Sequence, residues 1–313
     1  QAGTTLNPAA PGREIGGSSS GAAAQVAAGW GPLALGSDAG GSVRLPASWS
    51  GTVGFKPSFG AIPLAPASAF AEFAHLGTFT RSVADCALAM RVLSQADARD
   101  PSSLFARTEA PPARALRVAW TLSLGSSRAV QPAMAEAVAA LVERLAGAGH
   151  TLIHWPEAAS DRAEDMWRVW LSRIHESFVD WTEAQRERLS AGLRDAYGQG
   201  AAQAPAELAR ARARLRAWTG ALAQRFADVD LLITPATPGT APPLGEVGAG
   251  PWFEAVGGFT YPFNLTQQPA LSLPLGADAE GAPFGVQVVG PRFQDAAVLQ
   301  AGARIEALLA GAR

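Results

Sequence analysis

Two glycine-rich runs each present a serine: Gly16-Gly17-Ser18-Ser19-Ser20-Gly21, and Gly36-Ser37-Asp38-Ala39-Gly40-Gly41-Ser42-Val43-Arg44-Leu45-Pro46, with Ser42 24 residues after Ser18. A serine hydroxyl becomes an effective nucleophile only when a base accepts its proton, and acyl transfer also needs backbone N–H groups aimed at the developing oxyanion. Gly40 and Gly41, directly before Ser42, suit the second need: without Cβ atoms the chain can turn sharply and bring its amides close to a carbonyl. Asp38 and Arg44 flank the loop with opposite charges that could pair and pin it.

Each run has a simpler reading when taken alone. GGSSSG has the composition of a flexible linker. It also contains Gly17-Ser18-Ser19-Ser20-Gly21, a formal G-x-S-x-G match that would make Ser19 the nucleophile on a strand-to-helix turn. No convincing strand precedes it. Ala22 to Ala28 then form a small-residue helix stopped by Gly29, so the serines lie on a loop entering a helix N-terminus, where free N–H groups are available.

The elements around these loops alternate between strand-like and helix-like segments, which favours an α/β fold. Leu33 to Leu35 and Thr52 to Phe55 read as short buried strands on either side of the Ser42 loop. Ser82 and Asp85 form a capping box for a helix ending near Leu93. Leu116 to Trp120 is a strand, after which Met134, Val138, Leu141 and Leu145 recur at helical spacing up to a stop at Gly147-Ala148-Gly149. Val229 to Thr234, Leu271 to Leu275 and Val286 to Val289 are further strands, and a final helix runs from about Ala296 to Leu309. The middle, roughly 155–227, is mostly helical. There Trp167, Trp170, Leu171, Ile174, Phe178 and Trp181 share one helical face, read as a packing stripe against the sheet in preference to a pocket wall.

Composition limits the function classes. The 313 residues, 48% hydrophobic, can bury the core of one large domain, divided into 1–100 around the serine loops, a variable helical region 101–227, and closing strands and helix in 228–313. A net charge of −2 without a dense basic patch argues against nucleic acid. Arg210, Arg212, Arg214 and Arg216 spread around a helix and read as a solvated face. A single cysteine, Cys86, excludes internal disulfides and cysteine-based zinc sites and reads as a small buried helix residue. His75, His150, His154 and His175 lack metal-ligand spacing; His75, read in a loop, is the one to watch near a site. No run approaches 18 uninterrupted apolar residues, so no membrane helix is expected.

Three stretches, GREIGGSSSGAAAQVAAG, PLALGSDAGGSVRLPASWSGTVGFKPSFG and AHLGTFTRSVADCAL, resemble the amidase signature family in order, spacing and content. DLLITPATP, YPFNLTQQPALSLPLG and GAPFGVQVVGPRFQDAAVL resemble its closing strands and helix. The resemblance covers residues 1–100 and 228–310 clearly and the middle in outline. It implies a mixed β-sheet with helices on both faces, a three-layer α/β/α arrangement lacking its N-terminal part. It also implies a Ser-Ser-Lys triad, with Ser42 acylated, Ser18 relaying protons after a cis Gly17–Ser18 bond, and the amides of Ala39, Gly40, Gly41 and Ser42 as oxyanion hole. Asp38, Arg44 and Ser19 support the loops. No cofactor or metal is implied.

The triad lysine is the exception. The chain has one lysine, Lys56, in the separate scaffold motif Gly54-Phe55-Lys56-Pro57, whereas the family's catalytic lysine lies ahead of the first serine loop. The expectation is a fragment, inactive as given, whose N-terminal part carries that lysine. Three functions are weighed: an amidase hydrolysing a small carboxamide or aryl amide through an acyl-enzyme, the A subunit of a tRNA-dependent amidotransferase, and an inactive scaffold. Leu45 after the loop arginine and the Gly239-Thr240-Ala241-Pro242-Pro243 run favour the first. The expected partner is a small-molecule amide, with neither nucleic acid nor membrane, a homodimer as an option, and the cytoplasm as compartment. Ser20 stands where the family has glycine, Ser37 where threonine is common, Thr78 where proline is frequent and Gln267 where glycine is frequent.

Overall fold

The computed structural model describes residues 3–104, 109, 114–124, 129–156, 162–246 and 258–311. Eight strands form one sheet: β1 Leu33–Asp38, β2 Val53–Lys56, β3 His75–Thr80, β4 Arg117–Trp120, β5 Thr151–His154, β6 Leu231–Pro235, β7 Ala270–Ala277 and β8 Pro283–Val289. Their spatial order is β1-β3-β2-β7-β8-β6-β4-β5. The pairs β4–β5 and β4–β6 are parallel and the others antiparallel. Among the described residues, ten α-helices accompany the sheet: α1 Ser20–Ala27, α2 Arg44–Ser50, α3 Val83–Leu93, α4 Pro132–Gly147, α5 Ala163–Phe178, α6 Glu183–Arg186, α7 Ala191–Ala201, α8 Pro205–Gln224, α9 Pro262–Leu265 and α10 Asp295–Ala310.

The period-2 alternation of strand side chains sorts the core into two layers. Val118, Leu231, Ile233, Leu271, Val286 and Val288 pack in one cluster with α3, α4 and α10 through Cys86, Val138, Leu141 and Val298. Their neighbours Ala119, Leu232, Ala270 and Val289 belong to a second cluster with Met166 of α5 and Leu215, Trp218 and Leu222 of α8. Towards the β1 edge that second face is covered by α1 and α2, with Val26, Val43 and Ala47 against Phe79. Helices thus cover both faces of a mixed sheet, as expected.

Most elements fall where the pattern puts them. Met134, Val138, Leu141 and Leu145 are the buried residues of α4, and Cys86 is buried at 3.3 Å from Thr78 Oγ1, its thiol pushed up to about 12 by burial. Several details differ. At α3 the Ser82 Oγ accepts from the Asp85 N–H at 3.1 Å, but the Asp85 carboxylate takes the Ser82 hydroxyl rather than its backbone N–H, so the reciprocal half of the box is replaced. His75 begins β3 instead of lying in a loop. The aromatic stripe of the middle region packs over the sheet only in part: Trp167 and Trp170 lie against the second cluster, which includes the strand residues Ala119, Leu232, Ala270 and Val289. α5 ends at Phe178, before Trp181, its buried face includes Met166, Val169, Leu171 and Ile174, and α7 and α8 are its neighbours. Residues 157–161 of that region lie outside the described residues. Arg210 pairs with Glu207 on the exposed surface of α8, whereas Arg212 and Arg214 reach across to Glu176 and the buried Asp165 of α5. Among the described residues no helix is long and apolar enough to cross a membrane, and no cluster of three acidic, histidine or cysteine side chains could hold a metal.

Candidate active site

The two serine loops meet at the sheet edge. Gly16 needs its positive φ of 83°, and a Cβ there would lie 2.3 Å from Leu45 Cδ2, so only glycine lets the first loop approach α2. The Gly17–Ser18 peptide is cis. Ser19 ties this loop to β1: its hydroxyl donates to Ser37 O at 3.1 Å and accepts from Ser37 N–H at 3.2 Å. Gly36 makes room for it, since a Cβ there would fall 2.7 Å from Ser19 Oγ. The Ser19 hydroxyl is therefore spent on backbone, which counts against the G-x-S-x-G alternative.

β1 runs three residues beyond the segment legible in sequence and delivers Asp38 at its end, where the Ser42 loop begins. The Asp38 carboxylate organises that loop. Oδ1 accepts from Gly41 N–H at 2.7 Å, and Oδ2 from Val43 N–H at 3.2 Å. Arg44 faces it with Nε at 2.9 Å from Oδ2 and Nη2 at 2.8 Å from Oδ1, both side chains fully enclosed. Burial opposes ionisation of Asp38, but the Arg44 charge and hydrogen bonds outweigh it and hold the carboxyl well below its ordinary range.

The remaining Arg44 donors reach the far end of the chain. Nη1 donates to Thr260 O and to Gln287 Oε1, each at 2.8 Å, and Nη2 to Asn264 Oδ1 at 2.6 Å. Asn264 returns two bonds to Asp38, at its backbone oxygen (2.8 Å) and Oδ1 (2.9 Å). Thr260 Oγ1 donates to Gly40 O at 2.7 Å. Sequence reasoning does not single out Thr260, Asn264 or Gln287. The one signal is Gln287, polar inside the Val286–Val289 strand and therefore in need of a buried partner.

One of the expected oxyanion donors is engaged within the protein. The Gly41 N–H is committed to Asp38, and its φ of 128° with a Cβ position 2.3 Å from Thr260 Oγ1 fixes it there. Among the described residues, the N–H groups of Ala39, Gly40 and Ser42 have no protein acceptor. Ser18, Ala39 and Ser42 line one cavity of about 650 Å³, walled on its other side by Leu64, Phe70, Leu76, Trp170, Ile174 and Leu193. Trp170 and Ile174, assigned from sequence to packing, therefore face the cavity.

Lys56 does not face it. Fully buried, its Nζ donates to Pro57 O at 3.1 Å and to Gln268 O, and burial followed by the Arg44 charge pushes its pKa well below the ordinary value. His75 is also turned inward, with Nδ1 2.7 Å from Phe73 O and its pKa lowered by burial, then by Lys56. It is absent from the cavity wall, where its neighbours Ala74 and Leu76 stand instead.

The comparisons with known proteins agree in kind. A family model described as Amidase matches residues 1–299. The acylamidase of Rhodococcus erythropolis is 33% identical over 327 residues, covering 98% of this chain and 67% of its own. The A subunit of the glutamyl-tRNA(Gln) amidotransferase from Synechococcus sp. (strain RCC307) is 34% identical over 342 residues, with 95% and 68% covered. The solved structure of 6-aminohexanoate cyclic dimer hydrolase complexed with substrate superposes with a TM-score of 0.86 at 29% identity, over 97% of this chain and 70% of that one. The chain thus spans about two thirds of the length of the relatives it matches.

Proposed function

The chain belongs to the amidase family, and from that premise we propose that it hydrolyses small-molecule amides to acid and amine through an acyl-enzyme on Ser42. The observation that carries this reading is the convergence of Ser18, Ala39 and Ser42 on one cavity, in a loop whose Ala39, Gly40 and Ser42 N–H groups have no protein acceptor among the described residues. Ser42 Oγ attacks the amide carbonyl while its proton passes to Ser18 and the Ser18 hydroxyl proton passes in the same step to a neutral amine base of the kind that the Ser-Ser-Lys resemblance implies. The oxyanion takes hydrogen bonds from Ala39, Gly40 and Ser42, a kind of interaction in which one donor contributes about 3–4 kcal/mol. Collapse breaks the C–N bond, Ser18 returns the proton to the departing amine, and water then hydrolyses the ester on Ser42. Asp38, Arg44 and Ser19 hold the two loops in register. Lys56, engaged with two backbone carbonyls away from the cavity, is not that base.

Fluorophosphonate labelling followed by peptide mapping tests the assignment. The adduct is expected on Ser42 and absent in Ser42→Ala; an adduct on Ser19 would move the nucleophile to the G-x-S-x-G reading. A second reading, the glutamine-hydrolysing component of an amidotransferase, is favoured by the 34% identical amidotransferase relative. Release of ammonia from glutamine in preference to simple amides would support it.

A further inference from the structure

The cavity beyond Ser42 is uneven in character. Leu64, Phe70, Leu76, Trp170, Ile174 and Leu193 form an almost continuous apolar wall, contributed by the segment ahead of β3, by β3 itself and by α5 and α7. Phe70 and Trp170 lie against each other, ring centroids 4.2 Å apart and planes inclined by 33°. Such a tilted pair offers a broad, rigid surface to a planar or branched group. Ser68 is the one hydroxyl-bearing residue lining this side.

Charge is as informative as shape. Among the described residues lining the cavity, Glu14 is the only ionisable side chain, and it accepts Gly245 N–H at 2.8 Å. The arginines next in sequence to the lining are committed elsewhere: Arg44 pairs with Asp38, and Arg194, beside Leu193, donates to Glu187 O at 2.7 Å and Leu189 O at 2.9 Å. Arg13 bonds Ala241 O at 2.8 Å and pairs with Asp278 and Glu280. Arg173 is held by Glu72 and Glu176, each at 2.8 Å. Among the described residues, a carboxylate seated against this wall, away from the Ser42 loop, meets apolar rings and no cationic side chain, and would leave water without a charged partner.

We infer that the cavity selects an uncharged amide bearing an aromatic or comparably bulky apolar group, seated against Phe70, Trp170 and Ile174, and rejects amides that carry a carboxylate. This rests on the placement of the reacting carbonyl at Ser42 proposed above and narrows the substrate to a class within it. It also separates the two readings of the site, because glutamine carries a carboxylate and an ammonium and no apolar group.

The test measures binding by titration calorimetry on the Ser42→Ala form of the 313-residue chain, so that turnover does not interfere. The ligands are benzamide, 4-carbamoylbenzoate and glutamine. Benzamide is expected to bind, and the two carboxylates to bind roughly 100-fold more weakly or worse. Trp170→Ala, checked for native circular dichroism, should weaken benzamide by about 10-fold or more. Leu193→Arg, at the exposed rim, should raise the affinity for 4-carbamoylbenzoate relative to benzamide, a gain that misfolding cannot produce. Binding of either carboxylate within about 10-fold of benzamide overturns the inference, as does no binding of benzamide, an unchanged affinity in Trp170→Ala, or an unchanged ratio in Leu193→Arg. If benzamide binds selectively but the unsubstituted chain takes no fluorophosphonate adduct at Ser42, the hydrolase reading fails while the selectivity stands.

Discussion

Replacing Asp38 by asparagine changes the site by one atom's chemistry and almost no volume, so its consequences can be worked out from contacts alone. Oδ1 accepts from Gly41 N–H, Arg44 Nη2 and Asn264 Nδ2, and Oδ2 from Val43 N–H, Arg44 N–H and Arg44 Nε. Every neighbour is a donor. Whichever way the new amide is turned, its NH₂ group faces three of them, and Arg44, with no exposed side-chain surface, keeps an unpaired buried charge. Breaking one side of such a pair costs about 3–5 kcal/mol. At about 2 °C per kcal/mol for a chain of this size, Tm should fall by about 6–10 °C. Differential scanning calorimetry at pH 7 reads the shift, and Ser42 labelling by the fluorophosphonate should slow in the same protein, because the Gly41 tether is loosened. A Tm within about 2 °C of the parent, with labelling unchanged, would refute the view that this carboxylate organises the loop.

Other perturbations follow from the same contacts. With the triad lysine supplied, Ser18→Ala should slow acylation of Ser42 by roughly 10²–10⁴, the usual span for a lost acid–base group, measured as the rate of amine release; an effect under about threefold would remove Ser18 from the proton path. Thr260→Val removes the bond to Gly40 O and leaves that carbonyl unsatisfied, an effect of about 1–3 kcal/mol; it should lower kcat with KM little changed, and Thr260→Ser should restore it. Gly41→Ala drives a methyl group into Thr260 at an unfavourable φ and should cost about 2 kcal/mol or more by urea denaturation. The folded pKa of Asp38 lies below its ordinary 3.8, so its contribution is present above that value and lost as the pH falls towards the folded pKa; the urea midpoint should decline below about pH 4, and Asp38→Asn should flatten that part of the decline.

The scaffold is largely legible because its signals are local. Helical recurrence of Met134, Val138, Leu141 and Leu145 is a property of one segment, and burial of that stripe against the sheet follows from it. The strands legible in sequence lose their ends, as where β1 continues from Leu35 through Gly36-Ser37 by pairing to Gly77 and Leu76, whereas β3, at whose start His75 reads as a loop residue, is not legible there. The seven residues of α2 give little helical signal, since all are buried and a proline stands third; pairing with the strands around it decides its form more than propensity does. In the middle region the same aromatic residues could face a sheet, another helix or a cavity. Periodicity gives the face of α5 but not its neighbour, and α7, α8 and the segment around Phe70 settle that choice.

The residues around Ser42 illustrate why a site is harder to read than its nucleophile. Gly40, Gly41, Ser42 and Arg44 announce themselves by proximity in sequence, yet the groups that fix their orientation, Thr260, Asn264 and Gln287, lie 216 to 243 residues from Arg44. Only the fold brings them together, through α9 and the inward face of β8. That connection also bears on which of the four neighbouring amides is left for the oxyanion proposed above. With the Gly40 carbonyl held by Thr260 and the Gly41 N–H held by Asp38, the peptide joining them is clamped at both polar ends. A clamped peptide cannot turn to a substrate, but it fixes the amides on either side without competing for the oxyanion. Such a loop is preorganised before any ligand arrives, which is the condition under which hydrogen-bond donors lower a transition state rather than follow it.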